Sequence, residues 1–285
     1  MNIIFKIYRG SVHLLIFTLF SLLFSPFANA ATDEKGELVL GVFPYLSPNQ
    51  IVEYFTPLKD HLAKSLGRQV EIRSAPNFKQ FVESTRAGEY DIIFTGPHMG
   101  RLAEKRDSYR PLAQTGIPII TVGLVKNDST LKSLATLRNG TVAVGSKFAM
   151  AYQNINLELK KSGLELGKNV KFLDTASFSN VVEAVIRGEA DVGAVGSALW
   201  DSAPAEQHAK LKEIYRSKPL PGFLLLGHTR NGKATLKKIQ TSLYGFAATP
   251  AGQAYFAKAG HIDFRPVSAA TMKSMDPFTA VFDAP

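Results

Sequence analysis

Apolar residues fall along the chain in short dense runs separated by stretches of helical spacing. Leu38-Val39-Leu40-Gly41-Val42-Phe43 and Thr141-Val142-Ala143-Val144-Gly145 read as buried strands. Each leads into a helix. Ile51, Tyr54, Phe55, Leu58, Leu62 and Leu66 form one apolar stripe, and Ile155, Leu157 and Leu159 form a weaker one before Lys160-Lys161-Ser162-Gly163. Gly67 then precedes a strand at Val70-Glu71-Ile72, and Gly167 precedes one at Val170-Lys171-Phe172. Phe78, Phe81 and Val82 predict a helix from Phe78 to Ala87. Val181, Val182, Val185 and Ile186 predict another from Asn180 to Arg187. The first ends in Gly88-Glu89-Tyr90-Asp91 and the apolar Ile92-Ile93-Phe94. One hundred residues later stand Gly188-Glu189-Ala190-Asp191 and Val192-Gly193-Ala194-Val195. Gly88 and Gly188 occupy the place of a left-handed helix cap.

Each half therefore reads β-α-β-α-β, which predicts an α/β fold with mostly parallel sheets flanked by helices. Matching glycines and acids at a constant offset favour two similar lobes over one large sheet. Two further apolar runs, Ile117 to Val125 and Pro221 to Gly227, read as strands crossing between the lobes. The rest of the chain offers a helix around Lys233 to Phe246, with Leu236, Ile239, Leu243 and Phe246 on one side. A second has Thr249 as N-cap, Pro250 at its first position and Gly260 past its end. Both are expected to return to the first lobe. The expected lobes are residues 37–118 with 227–285, and residues 119–226. A cleft between two lobes is a preferred small-ligand site.

The first thirty residues stand apart from this pattern. Lys6 and Arg9 precede the run Ser11 to Phe27, which is almost wholly apolar, and Ala28-Asn29-Ala30 follows. A basic head, an apolar middle and an A-x-A exit are the parts of a cleaved secretory signal peptide, residues 1–30. The alternative, a retained membrane anchor, wants about 20 apolar residues; this run has 17 and contains Pro26.

Composition narrows the chemistry. Hydrophobic residues make up 45% of the 285 and charged residues 20%, so the chain is globular rather than disordered. There is no cysteine, which excludes disulfides, thiol nucleophiles and cysteine zinc sites. The net charge of +9 is scattered, with no run of five Lys or Arg, so it reads as a solvated surface and not as a nucleic-acid interface. No G-x-S-x-G, H-E-x-x-H, P-loop or EF-hand pattern occurs, and the histidines lack metal spacing, so no catalytic residue, metal or cofactor is expected. Asp91 and Asp191 open strands at the end away from the cleft, where turn chemistry is their expected role.

Several phrases carry a family resemblance: Gly41 to Phe43, Pro57-Leu58, Glu89 to Pro97, Gly188 to Asp191 with Trp200-Asp201, Ser217 to Gly222, and Thr249-Pro250-Ala251-Gly252. Over nearly all of residues 37–280 the chain resembles the phosphate/phosphite/phosphonate-binding branch of the periplasmic solute-binding proteins. The resemblance implies the two-lobe type II fold with two crossing strands as hinge. It also implies a role in capturing a small ligand between the lobes for an ABC transporter permease. The alternatives are a ligand-sensing subunit feeding a membrane sensor kinase, and an enzyme on the same fold. A monomer in the periplasm is expected.

The resemblance also shows where this chain departs. It implies Ser-Thr-Ser-Gly at the start of the second lobe's first helix, where hydroxyls and backbone N–H groups hold an anion. Here stand Phe148-Ala149-Met150-Ala151. Phe178-Ser179 replaces an implied His-Asp pair, Phe78 a tyrosine, Ile119 an aromatic and Phe223 an acid. Five polar-to-apolar changes point to a ligand other than a simple phosphonate. Its body would lie on Phe78, Phe148, Phe178 and Phe223, with a polar or anionic end near Thr95 or Lys147. The remaining candidate ligand-binding residues are Tyr45, Ser47, Gly96, His98, Thr121, Ser146, Ser177 and Ser197, all placed near strand ends or helix starts. For His98 an exposed helix position, and for Lys147 a solvated one, fit the sequence equally well.

Overall fold

The computed structural model describes residues 36–175, 178–260 and 262–282. The expected signal peptide lies outside them, as does Ser177. The first half runs β1 (Leu38–Val42), α1 (Pro48–Leu66), β2 (Val70–Arg73), α2 (Phe78–Arg86), β3 (Ile92–Thr95), α3 (Pro97–Arg106) and β4 (Tyr109–Thr115). The second runs β5 (Thr121–Lys126), β6 (Thr141–Val144), α4 (Met150–Lys160), β7 (Lys171–Asp174), α5 (Phe178–Arg187), β8 (Val192–Gly196), α6 (Ser197–Asp201), α7 (Ala205–Lys210) and β9 (Leu211–Arg216). The chain then returns through β10 (Leu224–His228), α8 (Gly232–Phe246), α9 (Pro250–Ala259), β11 (Phe264–Arg265) and α10 (Ala269–Lys273).

Local chemistry sets the boundaries. Ser47 and Gln50 form a reciprocal capping box at the start of α1, Pro48 takes the first helical position, and Gly67 ends the helix at φ 64°. Gly88 and Gly188 lie at φ 72° and 78°, as the repeated Gly-Glu phrase requires. Thr249 caps α9 by accepting from Gly252 N–H, and Gly260 closes it in the left-handed region. In α4 the buried stripe is Met150, Ala151, Ile155 and Leu159, whereas Leu157 is 42% exposed. The expected run at alternate positions could not share one helical face, because a helix turns about 100° per residue.

The strands form two sheets of matching design. Their orders are β11-β4-β10-β3-β1-β2 and β7-β6-β8-β5-β9. In each, three parallel strands from a β-α-β-α-β unit are extended by antiparallel ones, so the sheets are mixed rather than mostly parallel. β10 enters the first sheet and β5 the second at the same place, beside β3 and β8. The repeat extends to single groups. The Asp91 carboxylate accepts the Val39 N–H at 2.9 Å, and the Asp191 carboxylate accepts the Thr141 N–H at 2.8 Å. Each acid thus ties the third strand of its unit to the first. Asp91 additionally pairs with Arg230 at 3.0 Å.

All of β10 pairs within the first sheet, so the expected boundary at 226/227 falls inside a strand. The crossings are shorter than the apolar runs suggested. They occupy residues 116–120 and 217–223 and lie against each other. Ile119 and Leu220 exchange backbone hydrogen bonds at 3.0 and 2.9 Å. Thr115 N–H donates to Phe223 C=O at 2.8 Å, and Ser217 N–H donates to Thr121 C=O at 2.8 Å.

The core of the first lobe joins β1, β3 and β10 to α1 and to α8, whose Leu236, Ile239, Leu243 and Phe246 face inward as the spacing predicted. The second lobe is filled on both sides of its sheet by Ile155 and Leu159, and by Val181, Val182 and Val185. Beyond α10 the chain crosses to the second lobe. Met275 and Phe278 pack with Met150, Ile119 and Leu220, while Asp276 accepts two hydrogen bonds from Arg101 at 2.7 and 3.3 Å. Among the described residues no helix is long and apolar enough to cross a membrane.

Candidate functional site

Four short segments converge between the sheets. The loop after β1 brings Phe43 and Tyr45, the turn from β3 into α3 brings Gly96 to Met99, and the first crossing with the start of β5 brings Ile119 and Thr121. The loop into α4 brings Phe148 to Ala151. With Phe78, Gly196 and Phe223 these residues enclose a cavity of about 130 Å³. Among the described residues, no Lys, Arg, Asp or Glu lines it.

One wall is aromatic. Phe43 stacks on Tyr45 with centroids 4.6 Å apart, and both rings lie 5.3 Å from Phe223. Phe78 lies 5.8 Å from Phe43. The opposite wall carries Phe148, stacked at 5.4 Å on Phe282 from the end of the chain. Burial raises the pKa of the Tyr45 phenol and keeps it neutral.

Few polar groups border the cavity. Gly96 and Ala149 are the N-caps of α3 and α4, and neither helix start is closed by a side chain. The free N–H groups of the first turns are therefore donors, reinforced by the helix dipole. Thr121 is buried, and its oxygen accepts from Asn154 Nδ2 at 2.8 Å. His98 is 1% exposed and spans the two lobes, with Nε2 2.8 Å from the Phe148 carbonyl oxygen. A carbonyl only accepts, so Nε2 bears the hydrogen and Nδ1 is left as an acceptor. Nδ1 has no hydrogen-bond partner among the described residues. Burial pushes the His98 pKa down to about 4, against a smaller opposing effect of the Phe148 bond. Neither cause is another charge, and the ring is neutral at pH 7.

The expected site residues thus divide. Tyr45, Phe78, Gly96, His98, Thr121, Phe148 and Phe223 come together in the cavity wall. Ser47 does not reach it; its hydroxyl caps α1. Thr95 is fully buried but faces a separate packing gap with Phe81, Leu102 and Asp107. Ser146 accepts the Phe148 N–H at 3.2 Å, beneath the loop and outside the wall. Lys147 is exposed, with Nζ 5.2 Å above the Phe148 ring, so its charge is not in the cavity. Ser197 stands at the start of α6, where its N–H donates to Ile120 C=O at 2.8 Å, and its side chain is not part of the wall. The Phe178 side chain lies outside the described residues. Phe43, Met99, Ile119 and Met150 join the wall without having been candidates. Phe43 could have been found as the residue just past the carboxyl end of β1, where open α/β sheets present ligand contacts.

Among the described residues no cluster of His, Asp or Glu could hold a metal ion. Among the described residues that line the cavity, none pairs a nucleophile with a base.

Comparison with known proteins agrees with this geometry. The family described as ABC transporter, phosphonate, periplasmic substrate-binding protein matches residues 40–272. The phosphonates-binding periplasmic protein of Escherichia coli (strain K12) is 26% identical over 268 residues, covering 86% of this chain and 76% of the relative. Among solved structures, XAC2383 from Xanthomonas citri bound to ATP superposes with a TM-score of 0.76 at 23% identity, covering 87% of this chain and 97% of that one. PhnD1 from Prochlorococcus marinus (MIT 9301) in complex with methylphosphonate gives a TM-score of 0.76 at 17% identity, covering 87% and 98%. These two likenesses concern the fold. The chain belongs to the phosphonate family of ABC transporter periplasmic substrate-binding proteins, non-catalytic proteins that hold a small ligand between two lobes and deliver it to a membrane permease.

Proposed function

We propose that the cavity between the lobes is the ligand site, and that its ligand is a compact molecule with an apolar or aromatic body rather than a simple phosphonate. The observation that carries this reading is the wall itself. Five Phe and Tyr rings line a space that, among the described residues, has no cation in its wall. At the start of α4, where the resemblance implies three hydroxyls, stand Phe148, Ala149 and Met150. Each donor lost to a charged group is worth about 1.5–3 kcal/mol, and several such losses remove most of the roughly 8 kcal/mol of a micromolar binder. The ligand's polar end would meet the starts of α3 and α4, not Thr95 or Lys147. Ligand contacts to both lobes favour the closed arrangement, with residues 116–120 and 217–223 as the hinge. The partner is an ABC permease, the protein acts as a monomer, and the leader is removed after Ala30.

Thermal-shift screening tests the ligand reading. A ligand at about 100 times its Kd adds roughly 2.7 kcal/mol, and each kcal/mol raises Tm by about 2–4 °C for a chain of this size. Millimolar small aromatic amides or acids are expected to raise Tm by about 5 °C or more, and methylphosphonate and phosphite by less than about 1 °C. The reverse ranking would restore the family's ordinary ligand class.

A further inference from the structure

We propose that Met275 to Phe282 is a strap that holds the two lobes closed before any ligand binds, with Phe282 positioning the cavity wall at Phe148. The proposal builds on the reading of residues 116–120 and 217–223 as a hinge, and adds a third link across it. The strap is anchored in the first lobe at its start. Met272 of α10, just upstream, is buried in that lobe's core. Asp276 accepts at both carboxylate oxygens from Arg101 of α3, at 2.7 and 3.3 Å, and Lys105 of the same helix lies 3.8 Å away. Glu104 holds the Arg101 guanidinium in place by accepting from it at 2.7 Å. Single-point pairs near the surface contribute little, whereas a two-point grip on a guanidinium already held in place does contribute.

From that anchor the strap reaches the second lobe twice. Met275 and Phe278 are 0% and 6% exposed, packed with Met150 at the start of α4 and with Ile119 and Leu220 of the two crossings. Phe282 then lies between the lobes. Its ring is 5.6 Å from that of His98 on α3 and stacks on Phe148 at 5.4 Å with the planes 16° apart. Phe148 is thus fixed at two points, its carbonyl oxygen by His98 Nε2 at 2.8 Å and its ring by Phe282. Phe148 and Met150 line the cavity and Met275, Phe278 and Phe282 do not, so the strap acts from behind the wall. Opening the hinge with the strap kept on the first lobe would bring Met275, Phe278 and Met150 into water and part the Phe148–Phe282 stack. Opening it with the strap kept on the second lobe would break the Arg101–Asp276 grip. Either way closure is favoured whether or not the cavity is filled. A ligand then shifts an equilibrium that already lies toward the closed form, and its release waits on the strap.

The chain has no cysteine, so one can be placed on each lobe and spin-labelled without competing thiols. Lys79 and Ala198 are exposed, one next to the cavity residue Phe78 and one on α6 just after Gly196. Pulsed electron resonance on the Lys79→Cys, Ala198→Cys protein, refolded after denaturation to strip bound molecules, reads the separation of the lobes. One short separation is expected. Adding Phe282→Ala or Asp276→Asn is expected to bring in a longer one and to raise the ratio of long to short about tenfold, the scale of one aromatic pair or one bond to a charged group. Phe282→Tyr and Asp276→Glu should keep the short separation alone. Asp276→Asn removes no apolar contact, so it decides the matter even where Phe282→Ala fails to fold. Long separations populated equally in the wild type and the variants overturn the strap and leave the hinge standing. One short separation in every protein, the Phe282→Ala, Asp276→Asn double variant included, overturns the strap and the hinge together, whatever happens to Tm.

Discussion

Lowering the pH from 7 to 5 will cost the closed protein about 2 kcal/mol through His98 alone. The ring has a pKa of about 4 in the closed structure, because it is buried. Once exposed by unfolding or by separation of the lobes, it returns to the ordinary value of about 6.5. The exposed states therefore bind more protons between those limits. Stability is complete above about pH 6.5 and is lost as the pH falls toward 4, with a limit of roughly 3 kcal/mol below both values. The loss concentrates on closure, since the His98 bond to Phe148 links the two lobes. Separating them by a few ångströms hydrates the ring without melting either core. Urea denaturation at the two pH values, in the wild type and in His98→Gln, isolates the effect from carboxylates titrating elsewhere. The wild type should lose about 2 kcal/mol more than the variant, and its radius of gyration at pH 5 should exceed that at pH 7. Equal losses in the two proteins would show that His98 is not buried neutral.

Gly222→Ala is expected to destabilise the protein by about 3 kcal/mol or more. The added Cβ would lie 2.4 Å from the Thr115 carbonyl oxygen and 2.7 Å from that of Ile117. Both are backbone atoms, one at the end of β4 and one in the other crossing, so no side-chain movement relieves these two contacts. The two crossings would have to part, and the paired bonds of Ile119 and Leu220 would stretch with them. The variant therefore probes the hinge as well as stability. Thermal denaturation should show a Tm lower by about 6–12 °C at the usual 2–4 °C per kcal/mol. A Tm within a degree of wild type would mean that the crossings do not lie against each other in solution.

Much of this fold could be read from periodicity because its repeating unit is local. The Gly-Glu phrase at 88–89 and at 188–189 marks a helix end that needs positive φ, followed by a strand that needs burial, and both constraints act within a few residues. The antiparallel strands β4 and β9 went unread. Tyr109 to Thr115 contains Pro111 and three polar residues, and Leu211 to Arg216 has four charged or aromatic positions in six. Their place is decided by the partners β10 and β5, which arrive from the opposite lobe, and no local pattern encodes that. The same reason explains the hinge. Residues 121–125 continue an apolar run without a break, and only their pairing with β8 and β9 shows that the crossing has already ended at Ile120.

In the site, aromatic candidates could be identified from the lost polar positions of the family pattern, and Phe78, Phe148 and Phe223 do line one cavity. Thr95 shows the limit of that approach. It sits one residue before the cap of α3, but strand alternation turns its side chain to the far side of the sheet. The closing segment at Met275 to Phe282 has no periodicity at all, and its contact with Met150 and Phe148 is visible only in three dimensions.

The central claim is that a compact, phosphorus-free molecule with an apolar body occupies the space between Phe43, Phe78, Phe148 and Phe223. The protein should be purified from the periplasm without unfolding, then denatured, and the released small molecules analysed together by mass spectrometry and elemental phosphorus assay. The account predicts a ring-containing compound at close to one per protein, with phosphorus well below that ratio. One equivalent of phosphorus in a released phosphonate or phosphite would contradict it.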